Sequence, residues 1–418
     1  MIRMCLWMVL TSVAYLAAGA AEAADEVLLE PRQITFGPKH HFFGYIGQCR
    51  TTPWNLSGRY ILSLRTDFQD HMPRPDEAAE VVLLDTENDY EEIVVDRTCG
   101  WNFQQGTMFY WNPHAPETQF FFNDRNPATG KVFCVLYDVA SRKRVREYHY
   151  DDTPVGNSGV RQEGGAFLGI NYARLARLRL VTGYPGAYDW TDGELHPADD
   201  GIFKIDVATG AKTLLVSYAQ LRDALLPTYP RVANTALFIN HTLWNRPGDL
   251  IYFYARGNFN TDTEINVPFT MRDDGSQLTP LATFIAGHPD GGEGHQLIGA
   301  TGKDRQIIYD CDERKVVRVL GDSSVFVKPS GDIALSFDGR WLVNGAERDG
   351  RNAYAFFPMQ GGEVIHTTGR DQSGYTSGDL RIDGSPAWNR DGTAILFPSL
   401  ADDPQRTRQL FIVRLGKR

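Results

Sequence analysis

One pattern recurs along this chain: an aromatic residue, a short turn rich in Asn, Asp, Gly or Pro, and then an apolar strand. Its clearest copy runs from Asn240 to Arg256, where a Pro-Gly-Asp turn leads into a strand that is apolar on both faces. A strand of that kind lies between neighbours rather than at an edge. Further copies lie near positions 54, 111, 169, 300, 337 and 388. Repeats of short strands at intervals of roughly 35 to 60 residues are typical of radial blades.

Counting these copies predicts an all-β fold, a β-propeller with seven blades. Because the copy at Gly169 is degenerate, six or eight blades remain alternatives. The final strand, 409–415, is expected to pair with the N-terminal one, which closes the ring and removes exposed edges. A short helix is predicted from Ser217 to Leu226, with Ser217 as its N-cap.

Residues 1–23 are predicted to be a signal peptide. Arg3 supplies the positive charge, Leu6 to Leu16 is mostly apolar, and Ala21-Glu-Ala is a small-x-small cleavage site. An uncleaved anchor is the alternative, but the apolar run is short and rich in Ala for a membrane span. We therefore expect one propeller domain, 24–418, in the periplasm or secreted, with no membrane span after cleavage.

The composition argues against several classes of function. The net charge is −10, which excludes a basic protein that binds nucleic acid, so any anionic ligand must meet a local basic site. The chain has no GxSxG elbow and no Walker A pattern. Four widely spaced cysteines follow the signal, with no CxxC pair: Cys49, Cys99, Cys134 and Cys311. Disulfides and buried free thiols are the two alternatives for these four cysteines.

Polar residues at blade starts and in the loops between blades are the candidates for function. His241 opens its blade between Asn and Thr, a poor place for an apolar core residue. His288 and His295 flank an acidic, glycine-rich loop that suits Mn²⁺, Ca²⁺ or Zn²⁺. The other candidates are His40, His41, Arg174, Arg177, Tyr184, Tyr188 and Lys204.

The chain resembles the propeller-type polysaccharide lyases, the group that contains oligogalacturonate and ulvan lyases. The resemblance covers most of residues 38–345. The segments that carry it are His40 to Tyr45, Met108 to Pro113, Phe122 to Arg125, Asn171 to Arg179 with Gly183-Tyr184, Asp200 to Gly210, and Asn240-His241 with its strand.

The resemblance implies cleavage of uronic-acid-containing glycans by β-elimination, in which a base removes the proton α to the carboxylate and the 4-linked sugar leaves. It implies His241 as the base or a substrate ligand and Tyr188 as the acid, with Lys204 where relatives neutralise the carboxylate with Arg. The remaining residues that it implies are Arg174 and His41 in the catalytic set, His40, Arg125, Arg177 and Tyr184 for the substrate, and His295, His288 and Asp332 for a divalent metal.

The expected partner is therefore an acidic poly- or oligosaccharide, and we expect a monomer. The alternative is a non-catalytic, TolB-like propeller that binds glycan or protein in the cell envelope. Histidines are missing near Ser330 to Ser336, where relatives have further metal ligands, and this departure also permits a member with lost or changed activity.

Overall fold

The computed structural model describes residues 28–44, 48–302 and 304–416. The predicted signal peptide, 1–23, and Tyr45 of the first motif lie outside the described residues. Within the described ranges, no helix is both long and apolar enough to cross a membrane. The four cysteines named above are free thiols.

Nearly all regular structure is β, as the alternating apolar segments predict. The strands of the first half are β1 (Arg32–Gln33), β2 (His40–Phe42), β3 (Tyr60–Thr66), β4 (Ala79–Asp85), β5 (Glu91–Thr98), β6 (Tyr110–Trp111), β7 (Gln119–Arg125), β8 (Val132–Asp138), β9 (Lys143–Tyr148), β10 (Gly156–Val160), β11 (Ala166–Ile170), β12 (Gly201–Asp206) and β13 (Lys212–Ser217). The strands of the second half are β14 (Phe238–Trp244), β15 (Leu250–Gly257), β16 (Ile265–Arg272), β17 (Thr279–Pro280), β18 (Ala286–Gly291), β19 (Gln296–Thr301), β20 (Arg305–Asp310), β21 (Lys315–Asp322), β22 (Asp332–Leu335), β23 (Trp341–Arg348), β24 (Arg351–Pro358), β25 (Ile365–His366), β26 (Arg370–Asp371), β27 (Ala387–Trp388), β28 (Ala394–Leu400) and β29 (Arg408–Arg414).

In the described part of the chain, two short α-helices interrupt the strands, α1 (Tyr172–Leu178) and α2 (Tyr218–Leu225). The predicted helix after Ser217 is confirmed as α2. The Ser217 hydroxyl accepts from the backbone N–H of Gln220, and the Gln220 side chain accepts from the Ser217 N–H, a capping box. Three 3₁₀ turns cover Thr86–Asn88, Leu180–Thr182 and Pro230–Asn234.

The strands form consecutive antiparallel sheets. Four of these sheets contain β2–β5, β6–β9, β10–β13 and β14–β17, each in chain order. A fifth has the order β1-β29-β28-β27, so that Arg32 pairs with Ile412 and Gln33 with Phe411. The N-terminal strand is thus covered by the C-terminal one, and neither exposes its inner edge to another chain.

The all-β, propeller-like fold is confirmed, but the expectation of seven separate blades is wrong. The described residues form five four-stranded sheets and one nine-stranded sheet, which has the order β21-β20-β19-β18-β22-β23-β24-β25, with β26 also on β24. The reason is a parallel pairing of β18 with β22 at His288 and Asp332, which continues the hydrogen-bonded ladder. Counting sequence repeats does not reveal this pairing, because the pairing depends on tertiary contact.

The recurring tryptophans explain how neighbouring sheets are joined. Each of three buried indoles donates its N–H to a carbonyl oxygen of the preceding sheet or the segment leading into it. The pairs are Trp111 with Pro53 at 2.8 Å, Trp244 with Gly159 at 3.2 Å and Trp388 with Ala334 at 2.8 Å. A large apolar ring with one polar edge can fill the space between two sheets and also bind the adjacent backbone, which gives the repeat its physical basis.

Candidate functional site

A β-bulge places His241 where the sequence pattern alone would continue a regular strand. Asn240 pairs with Tyr254 and Leu243 with Tyr252, so two residues of β14 oppose one of β15. His241 takes a left-handed conformation there, with φ of 55°. Bulges re-aim side chains, and a non-glycine residue in this conformation stores backbone strain that is found mostly at functional sites.

A second bulge does the same for His288 on β18. The register with β19 shifts between Ala286 and Asp290, and His288 lies within the shift. The preceding residue, Gly287, has φ of 77°, and a Cβ there would meet the Ser330 carbonyl oxygen at 2.9 Å. Glycine is therefore required immediately before His288.

The two bulges bring the imidazoles together. The ring centroids of His241 and His288 are 4.8 Å apart, with the planes tilted by 45°. His241 also borders a central cavity whose lining includes Tyr110, Ser158 and Asn240, residues of three different sheets. We call His241 and His288 the histidine pair; it lies where several sheets meet.

Asp332 holds one member of this pair. Its Oδ1 is hydrogen-bonded to Nδ1 of His288, and its Oδ2 accepts from the backbone N–H of Ser385 at 2.6 Å. Burial works against the charge of Asp332, but His288, Ser385 and Arg381 outweigh it and lower the pKa of this carboxyl. Asp332 therefore stays ionised and orients the His288 ring.

The surroundings of His241 disfavour the charged form of its imidazole. Burial, followed by the charges of His288, Arg256 and Arg179, lowers its pKa well below the ordinary value for histidine. The imidazole is consequently neutral at neutral pH, and one of its ring nitrogens is unprotonated. A neutral imidazole beside excess positive charge can accept a proton from a ligand that brings its own negative charge.

Three arginines lie near the histidine pair, and we call them the arginine cluster. They come from three separate parts of the chain: Arg179 after α1, Arg256 in β15 and Arg381 before β27. The charges of Arg179 and Arg256 act on His241, and that of Arg381 acts on Asp332. Burial and the charges of Arg256 and Arg381 lower the pKa of Arg179 to about 9. Sequence reasoning missed all three as site residues, since no local pattern shows that these positions meet.

His40 and His41 lie at the contact between β2 and β29 instead. Nδ1 of His41 is 2.8 Å from Oε1 of Gln409, and its Nε2 is 3.0 Å from Oε1 of Glu92. Nδ1 of His40 accepts from the backbone N–H of Arg408 at 3.1 Å, and burial lowers its pKa to about 4. Both imidazoles thus bind protein groups where the β2–β5 sheet meets the sheet that contains β29.

The guanidinium of Arg174 is fully buried and bound by the protein. It donates to the carbonyls of Leu237 and Leu195, each at 2.7 Å, and lies 4.4 Å from the Tyr218 ring centroid. Arg177 donates to Oδ2 of Asp189 at 2.8 Å. These contacts anchor the loop after α1.

The other residues predicted to bind the substrate or to act as the acid lie in different parts of the protein. Tyr184 is buried, stacks on Tyr172 at 4.3 Å, and its hydroxyl accepts from Nδ2 of Asn123 at 2.9 Å. Arg125 donates to the Pro75 carbonyl. Tyr188 is 47% exposed.

Lys204 lies away from the histidine pair. Its ammonium donates to the Asp273 carbonyl at 2.6 Å. Asp273 follows the end of β16, whereas Pro268 of the same strand pairs with Tyr254 next to Asn240. Asp273 lies five residues beyond Pro268 along the chain, which corresponds to about 16 Å of extended strand. The roles predicted for these outlying residues stay predictions.

The predicted metal ligands are not assembled in one place. His288 and Asp332 bond to each other, whereas His295 lies beside Asp312 at 2.7 Å and Asp249 at 3.0 Å. Among the described residues, no three His, Cys, Asp or Glu side chains are grouped so as to hold a metal ion. The donors present therefore do not fit a divalent cation.

Comparison with solved structures supports the propeller-lyase-like fold. An oligogalacturonate lyase from Vibrio parahaemolyticus is similar over 94% of this chain and 99% of its own, with 11% identity and a TM-score of 0.57. An oligogalacturonate lyase in complex with manganese matches over 92% and 93%, with 14% identity and a TM-score of 0.58. At such identities the likeness shows the fold alone.

TolB from Acinetobacter baumannii is more distant, with a TM-score of 0.42 and 12% identity over 86% of this chain and 80% of its own. That likeness is too weak to bear on function. No protein-family model matches the chain, and no curated protein matches it in sequence.

Proposed function

We propose that the protein is a lyase that cleaves a uronic-acid-containing poly- or oligosaccharide by β-elimination. The observation that carries the proposal is the histidine pair, with ring centroids 4.8 Å apart and with Arg256 and Arg179 close enough to lower the pKa of His241. The likeness in fold to two oligogalacturonate lyases supports it. The predicted signal peptide, 1–23, places the activity in the periplasm or outside the cell.

The reaction needs a base, an acid and positive charge, and the site contains a candidate for each. Neutral His241 takes the proton from C5 of the uronate, and arginine charge stabilises the negative charge that develops on the carboxylate. The electrons of the C5–H bond form the C4–C5 double bond, and the glycosidic oxygen leaves from C4. His288, which Asp332 orients, gives a proton to that oxygen.

The test is ultraviolet absorbance of the unsaturated uronate, measured on polygalacturonate, ulvan and glucuronan. We expect His241→Ala to lower the rate by about 100-fold or more, since it removes the base, while the protein stays folded. His149→Ala, at an exposed histidine that pairs with Glu147, is the matched control and should keep full activity. Full activity in His241→Ala would show that the base is assigned wrongly.

The same assay distinguishes the two candidates for the acid. His288→Ala should lose turnover, whereas Tyr188→Phe should retain it, because Tyr188 is 47% exposed. The reverse result would restore Tyr188 as the acid. If wild-type protein forms no unsaturated product on any of these glycans, with or without Mn²⁺ or Ca²⁺, the non-catalytic binding function is favoured.

A further inference from the structure

Two members of the arginine cluster flank one aromatic ring beside the histidine pair. The guanidinium carbons of Arg179 and Arg256 lie 4.1 and 4.8 Å from the centroid of Phe259. That of Arg256 also lies 4.2 Å from the Tyr254 ring, which is itself 5.7 Å from the His241 ring. One side chain, Tyr254, therefore separates Arg256 from His241, and the charges of both arginines act on the His241 ring.

Their charge is not matched by the protein. Nε of Arg256 donates to the neutral amide oxygen of Asn266 at 3.0 Å. Nη1 of Arg179 is buried and finds no hydrogen-bond partner among the described residues. Within that part of the chain, neither guanidinium has a carboxylate at ion-pair distance. Burial penalises both charges and Arg256 also repels Arg179, whereas the charge of Glu264 acts favourably on both from farther away. Two such arginines form a site with donors left over for an anion.

Asp332 and Asp383 are already paired within the protein, and Glu264 accepts from the backbone N–H of Asn260 at 2.8 Å. Asp332 is bonded to His288 and to the Ser385 N–H. Asp383 accepts from Nε and Nη2 of Arg381 at 2.8 and 3.3 Å. A dication would have to break these pairs and would also meet the charges of Arg179 and Arg256. Electrostatics at this position therefore favour an anion and disfavour a divalent metal.

We propose that Arg179 and Arg256 bind the carboxylate of the ligand and neutralise it directly, in the role that a divalent metal would otherwise serve. This inference rests on the proposed function, in that the ligand is a uronate. Two aromatic side chains add an apolar surface for sugar rings next to these arginines. Half-buried Phe259 lies beside Arg256, and exposed Phe284 lies beside Tyr254.

The experiment measures binding by full-length protein treated with EDTA and then freed of chelator. Calorimetric titration with trigalacturonate and with triglucuronate is compared with titration of their methyl esters, which lack the charge. We expect the metal-free protein to bind at least one acid, with an affinity that falls as salt rises, and not its ester. Added Mn²⁺ should change neither the affinity nor the unfolding temperature.

Substitutions locate the site. Arg179→Gln and Arg256→Gln should each weaken binding by about tenfold, because each removes a charge-assisted hydrogen bond. Arg318→Gln is the matched control, since Arg318 lies on β21 and donates only to the Met359 carbonyl. Arg256→Lys keeps the charge and should lose less affinity than Arg256→Gln. Thermal unfolding of every variant shows whether it is folded.

The outcomes separate this inference from the proposed lyase activity. Binding that depends on both arginines without Mn²⁺ supports the inference even if no elimination product forms. Elimination that requires Mn²⁺ overturns the inference and leaves the lyase activity standing. Equal affinity of folded Arg179→Gln, Arg256→Gln and Arg318→Gln, or no binding of either acid by wild-type protein, also overturns it.

Discussion

At the scale of single residues, His295 illustrates a titratable group that joins two sheets. Its imidazole bridges Asp249, just before β15, and Asp312, just after β20. Partial burial disfavours the charged ring, but the two carboxylates outweigh burial and raise the pKa of His295. The charged bridge thus ties the β14–β17 sheet to the nine-stranded sheet.

The stability that this bridge contributes should depend on pH. Because the folded-state pKa is raised, the contribution is fully present below the unfolded-state pKa of about 6.5 and is lost as pH rises through the folded-state value. The free energy of unfolding, measured by denaturant titration, should therefore differ most between wild type and His295→Gln near pH 5.5 and least near pH 9. A difference that grows with pH would contradict the assignment.

Arg174 and Arg179 show how near neighbours in sequence meet different surroundings. The sequence pointed to Arg174, in α1, and its role stays a prediction. The buried guanidinium of Arg174 donates to backbone carbonyls, whereas Arg179 lies beside Arg256 and Phe259. The helix ends at Leu178, and the backbone of Arg179 is not helical, with φ of −156° and ψ of 86°, so helical periodicity does not predict where its side chain lies.

At the scale of elements, the bulge in β14 positions His241 and lowers the stability of the fold. His241 has φ of 55°, a conformation that costs a side-chain-bearing residue roughly 1–2 kcal/mol relative to glycine. The strain is retained at the residue that we propose as the base. The bulge in β18, with Gly287 at its start, shows the alternative in which glycine takes the left-handed position and the next residue carries the imidazole.

This difference predicts the outcome of two substitutions at one position. His241→Gly and His241→Ala both remove the imidazole and should both lose elimination activity. His241→Gly should be more stable than His241→Ala by about 1 kcal/mol, since only glycine adopts this conformation without strain. Denaturant unfolding of the two variants measures it, and equal stability would mean that the bulge relaxes when the ring is removed.

At the scale of the whole molecule, closure of the ring depends on β29. This strand lies between β1 and β28 and buries Leu410, Phe411, Ile412 and Val413. Each fully buried side chain of this kind contributes about 1.5–3 kcal/mol. Together they approach the whole net stability of a typical domain, about 5–15 kcal/mol.

We therefore expect a variant that ends at Thr407 to lose cooperative unfolding in calorimetry and to aggregate through the freed edges of β1 and β28. A variant that ends at Leu415 keeps the strand and should unfold like the full chain. A cooperative transition in the shorter variant, at the temperature of the longer one, would show that the remaining sheets do not need this closure.

What the sequence by itself determined is local. Alternating apolar residues, turn residues and recurring aromatic residues predict short strands and a propeller-like all-β fold, and Ser217 predicts a helix start, because each of these signals acts between near neighbours. His241 stood out for the same reason, as a polar residue at the mouth of an apolar strand.

Only the tertiary structure decided how the sheets join and which charges meet. The parallel pairing of His288 with Asp332 merges what the repeats presented as separate units. Three arginines from distant segments converge, whereas Lys204 and Arg174 are bound elsewhere. Such meetings depend on two register shifts and on ring closure, and the energy that selects them comes from contacts between residues far apart along the chain, which no local pattern encodes.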